Sequence, residues 1–393
     1  MLHDPARRAG ASEPCDACLR RGFLVGRLAT RMADLLERRS GRVAEVLALA
    51  DADLIASVAG ADANAVRSYV EDFDVDAARD CLEAGGVRAL CRHQPAYPPQ
   101  LAVLADAPAV LFVKGAADLS ALLGDDIVTV VGTRRPSPYG RTMARELGRG
   151  LAAADLRVVS GLAIGIDAEA HRGCLERAGT PIAVLACGPD VVYPRTNCAV
   201  YERILEHGLV VSELPPGWRP FRWAFPARNR IMAGLAAMTV VVEAAQPSGS
   251  LITSTFASQC GRAVGAVPGL VTSRLAAGTN GLLADGARLV TGAVDIVEEL
   301  FGVDAGARMA AAPRDSASER SQVGLEPVAR RLLDAVEAGH DIDAICLEAG
   351  LPAREVRAGL ARLEASGHVC RDGLGSYHRA ATTSTPALGR IQP

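Results

Sequence analysis

Lysine, aromatic rings and long apolar runs are scarce in this sequence, and each scarcity closes off a class of function. Lys114 is the only lysine among 42 basic residues, and Gly115 follows it. With no G-K-[ST] string, a Walker-type phosphate loop is excluded. No uninterrupted apolar run reaches the roughly 18 residues that a membrane-spanning helix requires, so no membrane association is expected. The opening MLHDPARRAG is polar and carries no signal-peptide core. Ten scattered cysteines, mostly inside apolar runs, then fit the reduced thiols of a cytoplasmic protein. No G-x-S-x-G nucleophile elbow is present. A formal net charge of −3 rules out a uniformly basic, DNA-coating surface, so any polyanion footprint is local.

Aromatic residues make up 4% of the chain, which makes their clustering informative. Residues 217–234 read GWRPFRWAFPARNRIMAG and hold both tryptophans, Trp218 and Trp223, with Phe221 and Phe225. Arg219, Arg222, Arg228 and Arg230 interleave with them, and no acidic residue does. Flat π-faces beside guanidinium groups stack bases and pair with phosphates, so the segment points to single-stranded nucleic acid. Trp218 and Phe221 serve either that contact or the anchoring of a proline-rich loop. The arginines would repel one another without an anion or distant carboxylates nearby.

At 393 residues the chain is long for one core, and two or three domains are expected. Residues 1–80 read as a small helical N-terminal domain, with a break at Gly60. Segments Val87–Leu90 and Val110–Val113 are short strands around a Pro95/Pro98/Pro99 turn region. From Asp126 short apolar strands alternate with amphipathic helices. The strands are Ile127–Val131, Arg157–Ser160, Pro181–Leu185, Leu209–Ser212, Met238–Glu243, Ala263–Val267 and Ala287–Val290. The pattern specifies an α/β fold over 81–303, an extended Rossmann-like, doubly wound and mostly parallel sheet. Residues 304–324 have linker composition. Residues 325–380 carry a helix-turn-helix and a wing hairpin turning at Asp372-Gly373, a winged-helix-like domain. Residues 381–393 form a disordered tail.

Ligands of such sheets bind at the carboxyl ends of the strands, where helix N-termini present unpaired N–H groups. Four loops here are rich in small and polar residues: Val131–Pro136, Ser160–Asp167, the aromatic–arginine segment entering a helix at about Asn229, and Glu243–Thr253. Taken together they form an anion site. The first is not G-x-G-x-x-G, which disfavours a dinucleotide; Arg134 projects there instead, suited to forked phosphate binding. His171 follows Asp167 by four residues, and packing is the expected role for its ring. Cys15-x-x-Cys18 has the spacing of half a zinc site, which Cys81 and Cys91 could complete. Ordinary buried thiols are nevertheless expected, with no metal and no cofactor.

The strings VVGTRRPSPYG, VVSGLAIGIDAEAHRGCL, AVLACGPDVVYPRTN, SELPPG, FPARNRIMAGLA, VVVEAAQPSGSLIT, AVPG and GTNGLLADGA resemble, in order, the DprA/Smf family of DNA-processing proteins. The resemblance runs over about 170 residues and implies a SAM/helix-hairpin-helix-like N-terminal domain and a C-terminal winged helix. It implies a non-enzymatic protein that binds single-stranded DNA in natural transformation, protects it and helps load RecA recombinase. It also implies a homodimer built through the Rossmann-like domain. The family's DNA pocket maps onto Gly132, Arg134, Ser160, Gly161, Phe225, Arg228, Asn229, Arg230 and Ser250, with Phe225 as the stacking ring. Asn280 and Ile164 depart from positions that many relatives fill with His and Arg.

Two rival readings remain. A nucleotide or nucleoside hydrolase of the lysine-decarboxylase-like group would use Glu243 on a ribosyl bond, although the P-G-G-x-G-T-x-x-E string of that group is absent. A transcriptional reader would use residues 351–364, where Arg354, Arg357 and Arg362 are balanced by Glu355 and Glu364.

Overall fold

The computed structural model describes residues 13–36, 43–306, 327–337, 342–366, 368–371 and 377–379. It divides into two compact units, residues 1–310 and 311–393. The expected linker from 307 onward, the Asp372-Gly373 turn and the 381–393 tail lie outside the described residues.

The first unit begins with α1 (Asp16–Leu36), followed by α2 (Val43–Leu47), α3 (Asp51–Val58), α4 (Ala63–Glu71) and α5 (Val75–Ala84). Gly60 interrupts the series with φ +54°, a conformation open to glycine at little cost. Strand β1 (Arg88–Cys91), short helix α6 (Pro99–Ala102) and strand β2 (Val110–Lys114) lead into the alternating region. There β3 (Ile127–Val131), α7 (Pro138–Ala153), β4 (Arg157–Ser160), α8 (Ile166–Glu176) and β5 (Pro181–Leu185) follow in turn. Next come α9 (Cys198–His207), β6 (Leu209–Ser212), α10 (Ala224–Leu235) and β7 (Met238–Val241). The unit closes with α11 (Gly249–Gln259), β8 (Ala263–Ala266), α12 (Ala277–Ala284), β9 (Arg288–Leu289) and α13 (Ala293–Phe301).

One nine-stranded sheet takes the order β1-β2-β6-β5-β4-β3-β7-β8-β9. The seven strands from β6 to β9 pair in parallel, and β1 and β2 add antiparallel at one edge. The Rossmann-like, mostly parallel sheet expected from the strand–helix alternation is therefore present. Strand β3 shows why the central runs are almost continuously apolar: all five residues, Thr129 included, are buried and both faces are covered. Ile127 and Val131 pack with Ile231, Met232 and Leu235 of α10 on one face. Val128 and Val130 pack with Leu147 and Leu151 of α7 on the other. The chain winds outward from β3 to β6 and then crosses back to place β7 on the far side of β3. That reversal opens a crevice at the carboxyl ends of β3 and β7.

The N-terminal helices do not stand apart as a domain with a core of their own. Leu24, Leu28 and Met32 of α1 share a core with Leu54 and Ile55, and also with Leu214, Trp223, Ala224 and Ala227. Leu19 packs with Leu82, Val110 and Phe112. Helix α1 thus bridges the helical layer to strand β2, next to the sheet edge, and to the start of α10.

The second unit holds helices Pro327–Glu337, Ile342–Ala349 and Ala353–Ala365, followed by an antiparallel pair, β10 (Val369–Arg371) and β11 (Tyr377–Arg379). Gly350 at φ +64° and Pro352 separate the second and third helices. Leu332, Leu333, Ile345, Val356, Leu360 and Leu363 close a small core. Three helices and a two-stranded wing make the winged helix expected from the sequence.

Candidate nucleic-acid interface

The aromatic–arginine segment does not lead into a helix at Asn229. Helix α10 starts five residues earlier, at Ala224, with Trp223 as N-cap. Pro226 does not interrupt it. It lies in the first turn, where the missing N–H has no intrahelical acceptor to lose. Phe225 and Arg228 thereby fall three residues apart on adjoining positions of one helix face.

The segment's aromatics divide into two groups. Trp218 Nε1 donates to the Gly26 carbonyl at 2.6 Å, and Trp223 Nε1 donates to the Ala29 carbonyl at 2.8 Å. Both tryptophans therefore anchor the segment to α1. A Cβ at Gly26 would lie 2.8 Å from the Trp218 ring, so only a glycine lets the indole sit there. Phe221 stacks on Trp223, with centroids 6.5 Å apart, and Arg219 covers Phe221 at 5.4 Å. Phe225 belongs instead to a partly exposed cluster. Tyr193 packs beside it at 5.9 Å, and the Arg134 guanidinium lies over its ring at 5.1 Å. Tyr193 is 43% exposed and was not singled out from sequence. Its only signal was a tyrosine directly before a proline in the loop between β5 and α9.

The strand-end loops are laced together through the backbone. Thr133 N donates to Glu243 O at 2.7 Å, and Ile166 N donates to Thr133 O at 3.3 Å. Gly132 has no room for a side chain: a Cβ there would lie 2.6 Å from Ile166 Cγ1 and 2.9 Å from Glu243 O. Asn197 Nδ2 donates to the carbonyls of Leu162 at 2.9 Å and Ala163 at 3.2 Å, fixing the second loop. Asn229 Nδ2 reaches Gly249 O at 3.4 Å, tying α10 to the fourth loop. Ser248 caps α11, and its hydroxyl meets Ser250 Oγ at 2.7 Å.

Arg228 is buried, 6% exposed, and its Nη1 donates to Val184 O at 2.7 Å. Its guanidinium occupies the space that a Cβ at Gly161 would need. Asp167, also buried, accepts from Gly161 N at 3.1 Å and Ala163 N at 3.4 Å. Burial pushes the Asp167 carboxyl above the usual carboxylate range, while Arg228 and the two N–H donors act against that rise. Burial likewise works against the charge on Arg228, and Asp167 offsets it. Arg228 Nε is buried without a hydrogen-bond partner among the described residues. A buried cation satisfied in this incomplete way favours an anion beside it.

Arg230 does not join this group. It is 2% exposed, with Nη2 2.6 Å from Glu213 and Nε 3.1 Å from Asp106. These are the distant carboxylates that a run of arginines requires, and they turn Arg230 inward as a structural ion pair. Ser160 is also fully buried, its hydroxyl donating to Val130 O at 2.7 Å. His171 is fully buried, and burial with the nearby Arg228 charge lowers its pKa to about 3. Packing is the role its position assigns. Ile164 is exposed at 48%, and Asn280 makes a two-way bond with Gly269 through its side-chain amide.

Glu243 is committed elsewhere. Its carboxylate accepts from Ser137 N at 2.9 Å and Ser137 Oγ at 2.5 Å, at the N-terminus of α7. Gly140 packs directly against it. A carboxylate at a helix N-terminus is favoured by the helix dipole, and this geometry binds the group to the fold.

Among the cysteines, Cys15, Cys18 and Cys91 converge with His93, whereas Cys81 stands exposed on α5. From sequence, Cys81 and Cys91 could complete a half-site but ordinary buried thiols were expected, and His93 was not singled out. No helix is long and apolar enough to cross a membrane among the described residues.

Comparison with known proteins agrees with this architecture. Residues 88–301 match the family model described as DNA recombination-mediator protein A, and residues 316–373 match the DprA winged helix domain. A putative DNA processing protein DprA from Mycobacterium tuberculosis is 41% identical over 285 residues, covering 72% of each chain. The DNA processing protein DprA of Streptococcus pneumoniae is 43% identical over 203 residues, 52% of this chain and 71% of the relative. The X-ray structure of the Streptococcus pneumoniae protein superposes with a TM-score of 0.57 at 32% identity, covering 72% of this chain and 96% of that one. The strand order, the paired loops and the winged helix, together with these matches, place the chain in the DprA/Smf family.

Proposed function

We propose that this chain binds single-stranded DNA in the crevice at the carboxyl ends of β3, β4 and β7. The observation that carries the reading is the Arg134–Phe225–Tyr193 cluster: an exposed guanidinium over a partly exposed ring, beside loops of small residues. A base takes the Phe225 face while Arg134 turns to a phosphate, and Arg228 supplies fixed positive charge behind Gly161. Gly132, Ser160, Asn229 and Ser250 shape the pocket, and Arg230 supports it from inside the fold. Membership in a family whose members are named DNA processing proteins supports this reading.

In that reading the chain is a binding protein of natural transformation rather than an enzyme. It protects incoming DNA and passes it to RecA recombinase, acting as a cytoplasmic homodimer through the Rossmann-like unit. The capping role of Glu243 supports binding over hydrolysis, because the ribosyl hydrolase alternative needs that carboxylate for chemistry. The balance of arginine and glutamate along 351–364 supports an accessory role for the winged helix.

Gel retardation of single- and double-stranded oligonucleotides at two salt concentrations tests the proposal. Tighter binding of the single strand, weakening by about 0.7 log units per log unit of salt for each phosphate contacted, is expected. Equal or stronger binding of the duplex would overturn it.

A further inference from the structure

The N-terminal cysteine pair lies beside the edge of the sheet, far along the sequence from the residues it meets. Cys15 immediately precedes α1 and Cys18 lies in its first turn. Cys91 ends β1, and His93 sits in the turn that follows, held where Gln94 N donates to Cys91 O at 2.9 Å and Gln94 Oε1 accepts from Cys91 N at 2.6 Å. His93 Nδ1 is 3.4 Å from the Sγ of both Cys15 and Cys18. Cys15 N approaches Cys91 Sγ at 3.5 Å. The four donor atoms all lie within 4.8 Å of one another.

We propose that Cys15, Cys18, Cys91 and His93 form a structural zinc site. The donor set is three thiolates and one imidazole, a closed combination typical of structural zinc, and it reads as C-x-x-C joined to C-x-H. Zn–S bonds of about 2.3 Å and a Zn–N bond of about 2.0 Å place tetrahedral S···N edges at roughly 3.5 Å. The two observed S···N separations match that value. Cys18 and Cys91 are buried, Cys15 is half-buried and His93 is exposed, so the metal would have a protected inner side and one entry side. Three thiolates and one Zn²⁺ leave a net negative charge, and the N-terminus of the 21-residue helix α1 favours it.

The site joins the first turn of α1 to the end of β1, beside the core that Leu19 shares with Ala89. Helix α1 carries the Gly26 and Ala29 carbonyls to which Trp218 and Trp223 are anchored. Zinc would clamp the first turn of that helix to β1 and so hold the platform from which α10 and Phe225 project. The role is structural, since all four positions are taken by protein and none is left open for substrate.

Elemental analysis and native mass spectrometry of the full chain, expressed with added zinc and kept reduced, test the site. About one zinc per chain is expected. Cobalt loading should give a thiolate-to-metal charge-transfer band, and chelation should lower the melting temperature and shift indole emission. Cys91→Ser should abolish the cobalt band, whereas Cys81→Ser should leave it intact. Should Cys91→Ser fail to fold, His93→Ala at the exposed ligand serves in its place. Metal affinity in that variant should fall by more than the roughly 10–100-fold that outer-shell changes cost. A reduced, folded chain that takes up neither zinc nor cobalt would overturn the proposal. So would bound zinc that survives both the Cys91 and His93 substitutions.

Discussion

The guanidinium of Arg134 lies over the ring of Phe225 at 5.1 Å, joining the loop after β3 to the first turn of α10. A cation over an exposed aromatic face contributes about 0.5–1 kcal/mol. The contact holds both groups at the mouth of the strand-end crevice. Phe225→Ala removes a half-buried ring that also packs against the core between α1 and α10. Affinity of the folded protein for a single-stranded oligonucleotide should fall by about 1–3 kcal/mol, measured by fluorescence anisotropy.

Gly161 should tolerate no side chain while Arg228 keeps its place. The Arg228 guanidinium fills the position of a Cβ at residue 161 and donates to Val184 O at 2.7 Å. Gly161→Ala forces the guanidinium to move and leaves a buried carbonyl unpaired, at a cost of about 1–3 kcal/mol. Urea denaturation should register that loss, and oligonucleotide binding should weaken with it.

Trp223 should behave as scaffold. Its indole N–H donates to Ala29 O, and the ring is buried between α1 and α10. Trp223→Phe should lower stability by about 0.5–1.5 kcal/mol, the worth of one lost hydrogen bond, since Ala29 O keeps its acceptor place within α1. DNA affinity of the folded fraction should stay within about twofold, well inside the effect of losing a stacking ring. A drop as large as that of Phe225→Ala would assign the indole to DNA contact.

How much of this was legible in the sequence follows from the physics of each signal. Continuous Val and Ile runs separated by amphipathic helices identify a parallel sheet because both sheet faces are buried, and β3 illustrates the point. Gly132 and Gly161 announced tight loops, since small residues at strand ends mark close approach. The start of α10 was less legible, because Trp223 at its N-cap makes no side-chain cap and leaves no capping signal in the sequence. The pairing of Arg230 with Glu213 and Asp106 is long-range, and nothing local to FPARNR encodes it. The union of Cys15 and Cys18 with Cys91 and His93 depends on α1 lying against β1, a tertiary fact with no sequence period.

His171 sets an acid limit on stability. Its ordinary imidazole value is 6.5, and burial lowers it to about 3 in the folded chain. Unfolded protein therefore binds a proton that the folded protein refuses across that window. Stability is fully present above pH 6.5 and is lost as pH falls from there towards 3. Between pH 7 and pH 5 the loss from this group is about 2 kcal/mol. Asp167 and Glu213, whose carboxyls burial raises, act in the opposite sense and are common to wild type and variant. His171→Leu should remove the imidazole's share, so urea midpoints at pH 7 and pH 5 should draw closer than in wild type.

The most direct test of the account is the affinity of Arg134→Glu for a labelled single-stranded oligonucleotide, measured against salt. Arg134 is exposed, so charge reversal should lower the melting temperature only slightly, by the lost contact with Phe225. Affinity should fall at least tenfold, and the log–log salt slope should shrink by about 0.7 for the lost phosphate contact. Wild-type affinity with an unaltered salt slope would place the DNA elsewhere on the molecule.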